Sequence, residues 1–279
     1  MDGTLLDHHS YSWDGASPAL KELKRRQIPL IFCTSKTRSE VKALRRQIGN
    51  THPFVVENGG ALVIPAGYFP AVAPPAHRAK TYTLMLGRPY DELVRELRAI
   101  ARQTGVEVRG FHQMTAEDVA RSTGLTEREA RMAQRRETGE PFVFHSASPA
   151  KIRRFQQVAR ERGYSVLKGG RFWHFSGDHD KAVALSALIG FYRLAWKVPI
   201  RTIALGDSDN DLLMLQLVDQ PILMPRPDGS FAKEVVAQVP DVWRAKAPGS
   251  TGWNLALLRA LRQNGVRDVK SGARLTGTA

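Results

Sequence analysis

An apolar strand followed by a short polar turn and an amphipathic helix is the pattern that most constrains this fold. It first occurs where PLIFC, residues 29–33, leads into TSKT, residues 34–37, and a helical pattern that ends at Gly49. It returns where RTIALGD, residues 201–207, precedes DLLMLQLV, residues 211–218. Strands that alternate with helices form parallel sheets covered by helices. We therefore predict an α/β fold with a Rossmann-like, doubly wound parallel sheet.

A second pattern interrupts the first. Proline and alanine are frequent between residues 66 and 80, which suggests a crossing between domains. Beyond it come three strand candidates, TYTLML, VEVRG and PFVFHS. Three helices are predicted as well: one over about residues 91–103, one that begins at the capping box Thr126–Glu129, and one that ends at Gly163. The doubly wound pattern resumes from Asp180, with a final helix after Gly252-Trp253. We predict a core of residues 1–78 and 177–279 around an inserted α+β cap, residues 79–176.

Composition limits the classes of function. Of the 279 residues 42% are hydrophobic, and no apolar run approaches the ~18 to 20 residues of a membrane span. The single cysteine, Cys33, allows no intrachain disulfide, so we expect a cytoplasmic protein with no membrane partner. The net charge of +14 suits nucleic acid or a small anionic substrate. Because the basic residues are spread through helical patterns, we expect solvated faces and no nucleic-acid partner; the oligomeric state stays open.

The segment ALGDSDND, residues 204–211, is the strongest chemical signal in the sequence. Asp207, Asp209 and Asp211 place three carboxylates within five positions, between an apolar strand and an apolar helix. Ligands of open α/β sheets bind beyond the carboxyl ends of the strands. Clustered carboxylates repel one another unless a cation joins them, and oxygen ligands suit Mg²⁺. Capping of a helix would explain one of these acids but not three.

A second strand end carries groups that can hold an anion. Thr34 follows the apolar strand, with Ser35 and Lys36 directly after it at the start of a helix. Hydroxyls and backbone N–H groups at a helix N-terminus bind anions. Lys181 begins another helical pattern. Each of these residues is also common as a helix cap or an exposed charge.

These segments together resemble the haloacid dehalogenase-like phosphatases. Their motifs occur here in order as Asp2-Gly3-Thr4, Thr34, Lys181 and residues 206–211, with the insert where the α/β-capped sugar phosphatases carry theirs. Further stretches, DHHSYSW, TSKT, VVENGG, RRETGEPF, GGRFWH and APGSTGW, resemble the mannosyl-3-phosphoglycerate phosphatase family across nearly the whole chain.

The resemblance implies a role for each motif. Asp2 matches the second aspartate of an Asp-x-Asp motif, the general acid/base that protonates the departing oxygen and then deprotonates water. The Asp2 carbonyl and Asp207 would hold Mg²⁺ together with a nucleophilic aspartate, and Asp211 would support the metal through water or Lys181. Thr34 and Lys181 would bind the phosphoryl oxygens.

The implied substrate carries a phosphate, a carboxylate and a sugar. Arg135, Arg136 and Arg171 are candidates for the carboxylate, because a guanidinium group binds a carboxylate through two hydrogen bonds. The candidates for the hydroxyl groups of the sugar or the glycerate are Asn58, Glu57, Glu137 and His174. For each arginine a surface charge, and for His174 a core position, is the alternative. The candidate substrate-binding residues are Ser35, Lys36, Asn58, Arg135, Arg136, Glu137, Arg171, His174 and Asn210.

The expected activity is magnesium-dependent hydrolysis of mannosyl-3-phosphoglycerate through an aspartyl-phosphate. Another sugar phosphate such as glucosyl-3-phosphoglycerate, a non-catalytic phosphate sensor and, more distantly, a nucleic-acid binder are the alternatives. No strand and no nucleophilic aspartate precede Asp2 in the sequence. We expect Met1 to be an internal methionine, with codons for apolar residues and an aspartate upstream of it, and we expect the chain as written to lack turnover.

Overall fold

Strands and helices alternate along the chain in a computed structural model that describes residues 1–8, 10–70, 80–169 and 172–263. The strands are β1 (Phe32–Cys33), β2 (Phe54–Val56), β3 (Ala61–Pro65), β4 (Thr81–Met85), β5 (Glu107–Gly110), β6 (Gly139–His145), β7 (Tyr164–Lys168), β8 (Trp173–Gly177), β9 (Ile203–Gly206), β10 (Gln220–Leu223) and β11 (Trp243–Arg244). The α-helices are α1 (Ser17–Arg25), α2 (Arg38–Ile48), α3 (Tyr90–Thr104), α4 (Ala116–Thr123), α5 (Glu127–Ala133), α6 (Pro149–Glu161), α7 (Lys181–Trp196), α8 (Leu212–Leu217), α9 (Lys233–Gln238) and α10 (Gly249–Gln263). In these ranges no helix combines the length and the apolar character that a membrane crossing requires.

The chain divides into two compact units. The first unit comprises Met1–Phe32, Ile64–Tyr82 and Leu185–Ala279, and the second comprises Cys33–Val63 and Thr83–Ala184. The predicted boundaries of core and cap, at residues 78/79 and 176/177, stay a prediction. Residues 71–79, which carry most of the proline-rich segment, lie outside the described ranges.

A parallel sheet lies in the first unit, as the alternating pattern predicts. Its order is β11-β10-β9, and Ile222 of β10 pairs with Leu205 on one side and Trp243 on the other. Helix α8 connects β9 to β10, which makes the strand–helix–strand unit that a parallel pair requires. The carboxyl end of β9 is therefore followed at once by the acidic segment, residues 207–211.

Strands β1, β2, β3 and β4 form a second sheet in that order. The predicted pair of strands around Asn-Gly-Gly is confirmed, because β2 and β3 are antiparallel and a 3₁₀ turn, Glu57–Gly59, joins them. Strand β1 is shorter than the predicted segment 29–33 and begins at Phe32. Pro29 has no backbone N–H to donate to a ladder, which agrees with the late start.

The second unit contains the predicted α+β segment. Its antiparallel sheet has the order β5-β6-β8-β7, and α3 and α6 pack against it. The core of this layer includes Leu93, Leu97, Phe142, Phe155 and Phe175, which are fully buried. The capping box of Thr126 and Glu129 begins α5 as predicted.

The start of the last helix differs from the prediction. Helix α10 begins at Gly249 and therefore includes Gly252 and Trp253, which were predicted to precede it. The carboxylate of Asp7 accepts the backbone N–H of Ser250 at 2.9 Å, so an acceptor from the other end of the chain satisfies the first turn. The sequence of residues 249–263 alone does not predict that acceptor.

Candidate active site

The loop after β9 is organised by a buried aspartate. Asp211 is 3% exposed, and its Oδ2 accepts the N–H groups of Asp207 at 3.1 Å and Ser208 at 3.3 Å. The Ser208 hydroxyl donates to the same oxygen at 3.2 Å. A Cβ on Gly206 would lie 2.6 Å from the Asp211 Cβ, so this close approach requires glycine. Asp211 thus fixes the backbone that presents Asp207.

The opening turn of the chain packs against Asp207. The buried hydroxyl of Thr4 donates to Asp207 Oδ1 at 2.8 Å. Gly3 has a φ of +70°, and a Cβ at this position would lie 2.8 Å from Asp207 Oδ2. The backbone directly after Asp2 therefore lies against the carboxylate of Asp207.

The same turn is also tied to α10, a contact that the sequence reasoning missed. The Asp7 carboxylate accepts the N–H and the hydroxyl of Ser250, at 2.9 and 3.1 Å. The N–H of Gly249 donates to the carbonyl of Gly3 at 3.3 Å. The available signals were the second aspartate of DGTLLD and the motif APGSTGW, but nothing in the sequence paired them.

The donors in this unit fit a hard cation such as Mg²⁺. In the described ranges no group of three His, Cys, Asp and Glu side chains is arranged to hold a metal. The predicted set uses the Asp2 backbone carbonyl, the Asp207 carboxylate and a nucleophilic aspartate, with Asp211 in a supporting role, so it does not require three such side chains within the described ranges. Carboxylate and carbonyl oxygens are the ligands Mg²⁺ prefers. Because Asp211 Oδ2 already accepts three hydrogen bonds, Asp211 shapes the loop around Asp207.

The turn TSKT lies in the second unit and is folded by its own side chains. Thr34 is 2% exposed, and its Oγ1 accepts the N–H of Lys36 at 3.2 Å. Thr37 caps α2 in a capping box with Glu40. The Lys36 ammonium lies 3.5 Å from Glu40 Oε1, so the structure pairs this predicted substrate-binding lysine with a protein carboxylate.

Asn58 lies beside this turn. Its N–H donates to the Thr34 carbonyl at 2.9 Å, and its backbone is left-handed, with a φ of 57°. The side-chain Oδ1 is buried and has no hydrogen-bond partner in the described part of the chain. A buried acceptor of this kind fits the predicted contact with a substrate hydroxyl.

Lys181 and His174 lie in the same unit. Lys181 is 4% exposed and begins α7, where Asp180 Oδ1 caps the helix by accepting the N–H of Val183 at 2.9 Å. Burial, followed by the positive charges of Arg136 and Lys181, lowers the pKa of His174 to about 4. The three side chains therefore share one electrostatic environment, in which His174 is neutral at pH 7.

The predicted substrate-binding residues at positions 135–137 fall into different environments. Arg136 donates to the carbonyls of Gly139 at 2.9 Å and Ser35 at 3.2 Å, and its side chain is 5% exposed. Glu137 accepts two hydrogen bonds from Arg38, each 2.7 Å. Arg135 is exposed and makes no ion pair with the rest of the described chain. Sequence reasoning did not anticipate Arg38.

Two further predicted residues belong elsewhere. Asn210 is exposed in the acidic loop of the first unit, where its Oδ1 accepts the Ser208 hydroxyl at 2.7 Å. Arg171 lies outside the described residues. The first unit thus contains Asp2, Asp207, Asn210 and Asp211, and the second contains Thr34, Ser35, Lys36, Asn58, Arg135, Arg136, Glu137, His174 and Lys181.

Comparison with known proteins identifies relatives of the whole chain. The family model of haloacid dehalogenase-like hydrolases matches residues 1–68. A glucosyl-3-phosphoglycerate/mannosyl-3-phosphoglycerate phosphatase of Methanococcoides burtonii is 39% identical over 95% of this chain and 96% of its own. One of the same name from Persephonella marina is 35% identical over 94% of this chain and 96% of its own.

A solved structure from Thermoplasma acidophilum matches the fold, with a TM-score of 0.62, 16% identity, and coverage of 95% of this chain and 96% of that one. At that identity the match concerns the fold alone. The sequence relatives carry the family assignment, because they are at least 35% identical and span almost the full length. The chain therefore belongs to the mannosyl-3-phosphoglycerate phosphatase family, a family of phosphoric monoester hydrolases within the haloacid dehalogenase-like hydrolases.

Proposed function

We propose that this protein is a magnesium-dependent phosphatase that converts mannosyl-3-phosphoglycerate to mannosylglycerate, a compatible solute, and phosphate. The observation that carries the proposal is the packing of the turn after Asp2 against Asp207, with Thr4 donating to Asp207 Oδ1 at 2.8 Å. This packing supports the proposal because Gly3 and Thr4 directly follow the predicted acid/base, and Asp207 is the predicted metal carboxylate. The names of the full-length relatives supply the substrate class.

In the proposed mechanism, Asp2 protonates the departing oxygen of the substrate and later removes a proton from the attacking water. Thr34 contributes its hydroxyl, and Lys181 its ammonium group, to the phosphoryl oxygens, whose charge the lysine offsets. The Asp2 carbonyl and the Asp207 carboxylate would hold Mg²⁺, which would supply Lewis-acid stabilisation of the transferring phosphoryl group. The nucleophile that the family resemblance implies would stand two positions before Asp2.

The test compares two versions of the protein with the same assay. One version is residues 1–279, and the other adds the residues encoded in frame upstream of Met1. We expect Mg²⁺-dependent phosphate release from mannosyl-3-phosphoglycerate by the extended version, and its loss in Asp2→Asn. Asp14→Asn is the matched control, because Asp14 is exposed. Equal activity of both versions would overturn the mechanism, and phosphate binding without turnover by the extended version would favour a sensor.

Glucosyl-3-phosphoglycerate is the second candidate substrate. It is favoured by the names of the two full-length relatives, which include both sugars. The two substrates share the phosphate and the glycerate carboxylate and differ in the sugar. Measuring kcat/KM for both, and for simple hexose phosphates, separates the alternatives. Similar values for both glycosides and much lower values for hexose phosphates would assign recognition to the glycerate.

We propose different roles for the polar residues near the turn TSKT. Arg135 is exposed and can bind the carboxylate, whereas Arg136 already donates to two carbonyls. Asn58 Oδ1 can accept a substrate hydroxyl. We expect Arg135→Ala to raise KM and leave kcat within about two-fold, because a uniform loss of substrate binding changes KM alone. A fall in kcat with unchanged KM would contradict this role.

The single cysteine supports a cytoplasmic location.

A further inference from the structure

The carboxylate of Glu57 is buried and bound by the protein. Glu57 is 2% exposed. Its Oε1 accepts the N–H of Glu137 and its Oε2 the N–H of Thr138, both at 2.9 Å, and Arg136 Nε lies 3.5 Å from Oε2. Two backbone donors and a guanidinium group occupy both oxygens, so they leave little capacity for a substrate hydroxyl. The structure therefore does not favour the predicted contact between Glu57 and the sugar or the glycerate.

The backbone of Glu57 is joined to the turn TSKT. Its N–H donates to the carbonyl of Lys36 at 3.0 Å, and the next N–H, of Asn58, donates to the carbonyl of Thr34 at 2.9 Å. Both Glu57 and Asn58 have left-handed φ angles, 49° and 57°. Residues other than glycine adopt this conformation at an energetic cost, which surrounding contacts must offset. The carboxylate bonds of Glu57 are contacts of that kind.

Arg136 adds a second connection between the same segments. Its guanidinium group lies 3.5 Å from Glu57 and also donates to the carbonyl of Ser35 at 3.2 Å. The side chains of Arg136 and Glu57 are 5% and 1% exposed, so water screens their charges weakly. Removing the Glu57 charge would leave a buried guanidinium group beside the turn TSKT without its carboxylate.

A third segment approaches Glu57 through its carbonyl. His179 Nε2 lies 3.2 Å from that oxygen, two residues before Lys181. Gly59 has a φ of +103°, and a Cβ there would overlap the carbonyl of Asp180, so this backbone contact excludes any side chain. Glu57 and the residues that follow it therefore contact the segment that begins α7 and carries Lys181.

We infer that Glu57 is a positioning residue, which holds the turn TSKT, the segment 136–138 and the start of α7 in one arrangement. It acts through Thr34 and Lys181 and does not touch the substrate. The inference rests on the proposed function for its catalytic consequence, because those two residues are proposed to bind the phosphoryl group. Its structural content, the ordering of three segments by the carboxylate and the backbone of one residue, is testable without turnover.

The experiment compares Glu57→Gln with Glu140→Gln. Glu140 is equally buried in the same unit, but its carboxylate accepts hydrogen bonds from Tyr90 and from the backbone N–H of His112. Both variants replace a buried carboxylate with an amide of the same shape. Amide hydrogen exchange of residues 34–37 and 181–184 is measured under native conditions, together with the affinity for inorganic phosphate in the presence of Mg²⁺.

We expect Glu57→Gln to accelerate exchange in both segments and to weaken phosphate binding, each at least about ten-fold, while Glu140→Gln changes neither by more than about two-fold. Unchanged exchange in Glu57→Gln, or equal changes in both variants, would overturn the inference. If Glu57→Gln does not fold, Glu57→Asp replaces it, with the same expected direction because the shorter chain cannot reach both N–H groups.

The two proposals fail in different ways. If the extended protein hydrolyses neither glycosyl-3-phosphoglycerate, the proposed function fails, and the exchange data still decide the role of Glu57. If it does hydrolyse them, Glu57→Gln should lower kcat at least about ten-fold. An unchanged kcat with a raised KM for the glycosylated substrates alone would identify Glu57 as a substrate-binding residue and contradict positioning.

Discussion

Replacing Asp211 by asparagine tests whether this residue organises the acidic loop. The buried Oδ2 of Asp211 accepts hydrogen bonds from the N–H groups of Asp207 and Ser208 and from the Ser208 hydroxyl, at 3.1 to 3.3 Å. Asp211→Asn retains the shape and one oxygen acceptor but removes the charge. Asp209→Asn is the matched control, because Asp209 is exposed and its nearest cation, on Arg226, lies 3.9 Å away.

The expected loss of stability follows from the three hydrogen bonds. Hydrogen bonds to charged groups contribute ~1.5–3 kcal/mol each and those between neutral groups ~0.5–1.5 kcal/mol. The bonds share one acceptor, so their differences do not add in full, and we expect Asp211→Asn to cost about 2 kcal/mol. Asp211→Ala, which leaves the N–H groups without this acceptor, should cost ~3–5 kcal/mol. Asp209→Asn should cost no more than ~0.5 kcal/mol, as exposed ion pairs usually do.

Urea unfolding and Mg²⁺ titration by calorimetry measure these effects. We expect Asp211→Asn to weaken Mg²⁺ binding by about ten-fold or more, because Asp207 is presented by the loop that Asp211 holds. Asp209→Asn should change it by less than about two-fold. Equal losses of stability and of Mg²⁺ affinity in the two variants would refute the argument, because they would show that only the number of charges in the loop matters.

Three further changes test other parts of the structure. Asp7→Ala should lower the free energy of unfolding by ~1–2 kcal/mol in urea titrations, since the N–H of Ser250 loses its cap, whereas Asp7→Asn should cost less; the reverse order would contradict a capping role. The stabilising effect of neutral His174 is complete above its unfolded pKa, near 6.5, and is lost as the pH falls towards about 4. His174→Gln should therefore reduce the fall in stability over that window by about 3 kcal/mol, at ~1.4 kcal/mol for each pH unit, and an unchanged pH dependence would refute this. Arg38→Lys should cost ~1–2 kcal/mol because a lysine cannot reproduce the two 2.7 Å bonds to Glu137, and a stability equal to that of the parent protein would show that the pair contributes nothing.

The parts of the fold that sequence predicted are those set by local chemistry. The capping box Thr126–Glu129 and the left-handed cap at Gly49, with a φ of 70°, depend on residues within one turn of each other. The alternation of strands and helices predicted the parallel pairing of β9 and β10. The start of α10 could not be predicted in this way, because its acceptor is Asp7, 243 positions from Ser250.

In the candidate site, too, local features could be predicted and contacts between distant residues could not. The position of Asp207 and Asp211 followed from the rule that ligands bind at the carboxyl ends of strands. The residue types alone could not show which polar groups make hydrogen bonds within the protein. Glu137 and Arg136 were predicted to bind substrate, and the structure gives them protein partners through contacts about 100 positions apart in sequence. Their roles towards a substrate stay predictions.

Residues that hold the fold can be distinguished from residues that bind substrate by whether the protein already supplies partners for their hydrogen-bonding groups. A buried group whose partners the protein supplies, such as the carboxylate of Glu57, is stabilised without a ligand. Asn58 Oδ1 is buried without a partner in the described part of the chain, and Arg135 is exposed without an ion pair there. An unsatisfied buried acceptor costs free energy that a ligand can recover on binding. Differences in substrate preference within this family should therefore follow positions 58 and 135 more closely than positions 57 and 136, because Glu57 and Arg136 are buried against each other, whereas position 58 offers an acceptor without a protein partner and position 135 an exposed charge.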